Sequence, residues 1–68
     1  MENLPLGFAF SLSMNRNAMD YYNSLDYNTQ EKLTNYIENA KDSQDTKLRI
    51  EQSISALNNS DINFLNII

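Results

Sequence analysis

Nine Asp and Glu residues, five Lys and Arg residues and four tyrosines are the side chains of this sequence that could carry charge or exchange a proton; there is no cysteine and no histidine. General acid–base chemistry needs a titratable group whose surroundings move its pKa toward the working pH. The acids stand instead where helices should begin (Asp20, Asp26, Asp42, Asp45, Asp61) or on polar helix faces (Glu31, Glu38, Glu51). Capping, the helix dipole and solvation account for them there. A serine nucleophile without histidine would need a Ser–Lys arrangement. No Ser-x-x-Lys spacing occurs, and Ser43, one turn before Lys47, reads as a cap or loop residue. For a metal only oxygen ligands remain, and Asp42, Ser43 and Asp45 lack the spacing of a calcium loop. The expectation is no catalytic residue, no cofactor and no metal.

The tyrosines carry more information. Tyr21 and Tyr22 are adjacent, about 100° apart on a helix, so both cannot enter one narrow core. Tyr22 and Tyr36 fall on apolar stripes. Tyr21 and Tyr27 are then either half-exposed supports or parts of a partner surface, where tyrosine is enriched.

What must position these groups is helical. Valine is absent and Leu, Ile, Met, Ala, Glu, Gln and Lys supply the periodic segments, a composition that favours helix over strand. Pro5 opens a first short helix with Phe8 and Leu12 on one face. Every even position from Leu4 to Met14 is apolar, which would also suit a strand. A single strand has no ladder partner within the chain, so helix is the reading, although Gly7 weakens it. Asn17 is the expected cap of a second helix bearing Ala18, Met19, Tyr22 and Leu25, with Asp20 as its reciprocal partner. Asp26 caps a third helix over 27–41, with Leu33, Tyr36, Ile37 and Ala40 as its stripe and Lys41 in the last turn. Asp42 or Ser43 caps a fourth, 44–58, with Thr46, Ile50, Ile54 and Leu57 aligned and an Asp45–Arg49 pair outside. The short link between the last two predicts an antiparallel αα-hairpin as scaffold. The fold class is therefore all-α: one domain of four short helices, with a further C-terminal turn capped by Asp61. Its core comprises Phe8, Leu12, Met19, Tyr22, Leu25, Leu33, Tyr36, Ile37, Ala40, Ile50, Ile54 and Leu57.

At 68 residues, the chain buries about three-fifths of its unfolded surface, the marginal end for a domain. Without disulfides or zinc, packing or self-association must hold it. The net charge of −4, with basic residues scattered among acids, excludes nucleic acid from the expected partners. No stretch approaches the ~20 apolar residues of a membrane span. With no secretory signal that fits and no cysteine, the expected location is cytoplasmic. After Asp61 come Ile62, Phe64, Leu65, Ile67 and Ile68, an aggregation hazard unless covered by the core or by another molecule.

Two resemblances follow from this layout. Leu4-Pro5-Leu6-Gly7-Phe8, then Ala18-Met19-x-x-Tyr22-x-x-Leu25, resembles a group of small uncharacterised helical proteins of Gram-positive bacteria, which implies a compact helical domain with no assigned activity. Residues 25–57 are similar to the C-terminal helical hairpin of the YdeI/OmpD-associated (bacteriocin-protection) family. That likeness rests on Leu25, Tyr36-Ile37, Ala40-Lys41 and Thr46-Lys47-Leu48-Arg49-Ile50. Lys47 departs from the family's usual arginine, and the family's larger N-terminal domain has no counterpart here, so the resemblance implies a fold and no function.

The expected function is a non-catalytic protein–protein interaction module that engages its partner through the C-terminal segment or the N-terminal face. A self-associating structural protein is the alternative, and a small-ligand binder or enzyme comes third. The candidate partner surface is Tyr21, Tyr27, Phe64, Leu65, Ile67 and Ile68, and the partner is another protein or a second copy in a homodimer.

Overall fold

Pro5 stands just ahead of the first helix with its carbonyl accepting the Ala9 N–H at 2.9 Å, a place where a missing donor costs nothing. The fold was obtained as a computed structural model, which describes residues 4–66. These residues form α1 (Leu6–Ser13), α2 (Arg16–Ser24), α3 (Tyr27–Glu38), α4 (Ser43–Asn58) and a closing 3₁₀ turn (Asn63–Asn66), with no strand among them. The all-α architecture expected from the periodicity is the one observed. No helix among the described residues is long and apolar enough to cross a membrane.

α4 is the hub. It packs against α1, α2 and α3, most extensively against α2. The fully buried side chains are Phe8 and Leu12 from α1, Ala18 from α2, Leu33 and Ile37 from α3, and Ser53 and Leu57 from α4; Tyr22 from α2 and Leu65 from the 3₁₀ turn complete the core. Each large apolar side chain removed from water contributes roughly 1.5–3 kcal/mol. Phe8 meets Tyr22 edge to face at 5.6 Å between ring centres, which joins α1 to α2.

Several expectations change in detail. Met19, Leu25, Tyr36, Ile50 and Ile54 are half-buried against the core, and Ala40, beyond the end of α3, is half-buried. Ala18 and Ser53 take fully buried places instead. Ser53 donates its hydroxyl to the Arg49 carbonyl at 2.7 Å, so burial leaves no donor unpaired.

α2 begins at Arg16, with Asn15 and not Asn17 at its cap position. The Asn15 amide turns back to donate to the Ser11 carbonyl at 2.8 Å, satisfying the end of α1 instead of the start of α2. Asp20 pairs with Arg16 at 3.9 Å on an open surface, where such a pair contributes little.

α3 ends at Glu38, three residues earlier than the apolar stripe suggests, and Lys41 lies in the connection. The reason is a better use for Lys41. Its backbone N–H donates to Asp45 Oδ2 at 3.1 Å while the Asp45 N–H donates to Asp42 Oδ1 at 2.7 Å. These two bonds cap the start of α4 from the connection. α4 in turn closes with Ser60 in the left-handed region (φ 52). The Asp61 N–H reaches the Ala56 carbonyl at 2.9 Å and the Ser60 N–H reaches the Leu57 carbonyl at 3.0 Å, a Schellman ending. Asp61 then accepts the Asn63 N–H at 3.1 Å and turns the chain into the 3₁₀ turn.

Candidate interaction surface

An apolar residue at every second position does something unusual on a helix. At about 100° per residue, residues four apart share a face, and those two apart lie about 200° from each other. The alternation from Leu4 to Met14 therefore splits into two opposed stripes. Phe8 and Leu12 are fully buried with Leu4 packed beside them, while Leu6, Phe10 and Met14 are 86%, 65% and 69% exposed. Met14, at the C-cap of α1, keeps a helical conformation (φ −93, ψ −6) and so continues the outer stripe.

α1 holds this stripe outward through two contacts on its other sides. Phe8 is fixed against Tyr22. On the α4 side, a Cβ placed at Gly7 would lie only 3.1 Å from Ile50 Cδ1, so glycine permits a closer approach than any other residue would.

The side chains singled out from sequence are dispersed. Tyr21 is half-buried against the core. Tyr27 is 73% exposed, its hydroxyl 3.4 Å from Glu31 Oε2 on the same helix. Phe64 is half-buried, edge to face with Tyr36 at 5.4 Å. Leu65 is a core residue, which removes it from any free surface. Ile67 and Ile68 lie outside the described residues. The outer stripe of α1 went unrecognised at the level of residues because the same letters read equally well as one strand; their alternation was the available signal.

Several of the polar groups have local partners. Asp26 accepts the Thr29 hydroxyl, Asp42 accepts the Asp45 N–H and Asp45 accepts the Lys41 N–H. Asp45 also holds Arg49 Nε at 3.2 Å. Arg49 stacks 4.6 Å over the Tyr36 ring and donates from Nη1 to the Tyr36 carbonyl at 2.6 Å. The Tyr36 hydroxyl donates to Gln52 Oε1. Burial pushes the Tyr22 phenol above its ordinary pKa. No three acids among the described residues converge as they would around a metal ion. An open groove of about 450 Å³ runs between Ser11 and Asn15 on one side and Ile50, Ile54 and Asn58 on the other.

Comparison of the chain with protein-family models, curated proteins and solved structures gives no match.

Proposed function

We propose that the chain is a non-catalytic protein-interaction module that docks through the outer stripe of α1. The observation that carries this reading is the exposure of Leu6, Phe10 and Met14 on one helix face. A contiguous apolar strip on so small a domain is characteristic of a binding surface, and helices laid into grooves use anchors at this four-residue spacing. The structural partners of Asp26, Asp42, Asp45 and Asp61 support the non-catalytic part of the proposal. A protein partner, in place of nucleic acid, fits the net charge of −4. A cytoplasmic setting belongs to the same proposal.

Phe10→Glu tests it. The side chain is outside the core, so helicity and melting temperature should stay close to wild type while partner capture from cells falls to background. Retained capture by a folded Phe10→Glu chain would remove the stripe from the reading. Phe8→Glu, on the opposite stripe, should unfold the domain and serves as the internal control.

A further inference from the structure

We infer that residues 61–66 form a strap that swings open as a unit about Ser60 while the four helices stay folded. Its opening bares an apolar seat beside Tyr36, apart from the α1 stripe, that the closed form fills.

The first support is the way the strap is attached. Its backbone bonds among the described residues are local or at its root. The Leu65 N–H donates to the Ile62 carbonyl at 3.0 Å within the turn, and the Asp61 N–H donates to the Ala56 carbonyl at 2.9 Å where the chain leaves α4. Beyond that root the strap is held by side-chain burial: Leu65 in the core, Ile62 and Phe64 half-buried, and the Phe64 ring 5.4 Å from that of Tyr36. The freedom regained by six residues on opening offsets part of the burial that is lost. The helices do not depend on the strap in the same way. Every fully buried side chain lies on α1–α4, and α4 packs directly against the other three.

The second support lies in the root itself. Ser60 is held at φ 52, a conformation whose cost to an L-residue is relieved when the strap opens. Asp61 follows at the C-terminal end of α4, whose last turn has no basic residue. A carboxylate there opposes the helix dipole. Both features favour release, and glycine in place of Ser60 would close the helix without the first of them.

The third support is space. An open groove of about 430 Å³ already runs beside the strap, with Gln52, Ala56 and Asn59 on one side and Asp61, Asn63 and Phe64 on the other. The strap therefore lifts without displacing a helix. The seat it leaves takes an aromatic and a branched aliphatic side chain, the pair that Phe64 and Leu65 supply in the closed form.

The chain has no cysteine, so a single introduced thiol reports when its position leaves the core. Leu65→Cys and Leu57→Cys make the same truncation at two buried sites, one on the strap and one on α4. Under native conditions iodoacetamide should alkylate the Leu65→Cys chain about tenfold faster or more, at a rate nearly independent of urea, since a local opening exposes little surface. Alkylation of the Leu57→Cys chain should accelerate steeply with urea, as global unfolding does. Equal rates with the same steep urea dependence would overturn the strap, because Leu65 would then leave only with the whole domain. Hydrogen exchange of the unsubstituted chain guards against an opening, or a loss of folding, caused by the cysteine itself. The Asp61 and Leu65 N–H groups should exchange through one common opening, ahead of the interior of α4. Unequal openings of these two groups, or merger of both with global unfolding, would equally overturn it.

Discussion

Ser60 sits at φ 52, a backbone region that costs an L-residue with a Cβ roughly 1–2 kcal/mol. Glycine adopts it freely but loses about 0.5–1 kcal/mol more entropy on folding. Ser60→Gly should therefore stabilise the domain by about 0.5–1 kcal/mol, a rise of roughly 2–8 °C in melting temperature at this size. Thermal unfolding of the two chains checks it, and a lowered melting temperature would show that the serine side chain holds the turn by another route. The end of the fourth helix was legible, since the expected 44–58 closes at Asn58 as observed. Ala18 was read on the apolar face of the second helix but not as core, and the buried place of Ser53 was not read at all. Small side chains carry little periodic signal, and a serine is admitted to a core only when a local acceptor such as the Arg49 carbonyl is in reach.

At the scale of elements, helix existence was readable and helix ends were not. Stripe and caps locate α3 and α4, but the end of α3 depends on Lys41, Asp42 and Asp45 acting across the connection, which no periodicity encodes. The same connection is clasped by Arg49, held between Asp45 and Tyr36. Arg49 and Asp45 keep 27% and 22% of their side-chain surface exposed, so the pair is screened less than an open surface pair. Arg49→Ala should cost about 1–3 kcal/mol, and Arg49→Lys should recover little, because an ammonium cannot stack and fork as a guanidinium does. Urea unfolding midpoints measure both; a loss under about 0.5 kcal/mol for the alanine variant would reduce the clasp to an ordinary surface pair.

For the whole molecule, a radius of gyration of 10.8 Å agrees with the roughly 11 Å expected of a compact chain of this length. Compactness is reached within one chain, partly because Leu65 folds back into the core and Phe64 lies against Tyr36. From sequence, the C-terminal segment could equally have been core or interface, since both destinations demand the same apolar residues. Stability of the molecule should also respond to alkali through Tyr22. Its folded pKa lies above the ordinary value of 10.0 because burial disfavours the phenolate. The stabilising contribution is fully present below the unfolded pKa and is lost as pH rises through the higher folded one. Melting temperature should thus begin to fall near pH 10.0, and Tyr22→Phe should blunt the decline. An identical alkaline profile for the two chains would show that Tyr22 plays no part.

A helix that is apolar on two opposite sides presents the folding chain with an ambiguity. Turned over, α1 could offer Leu6 and Phe10 to the core almost as well as it offers Phe8 and Leu12, and hydrophobic burial alone barely separates the two seatings. Gly7 biases the choice on the side that faces α4. With a Cβ there only 3.1 Å from Ile50 Cδ1, the present depth of docking is available to the face that carries no side chain at that point. The one glycine of the sequence thus favours the seating in which α1 lies closest to Ile50.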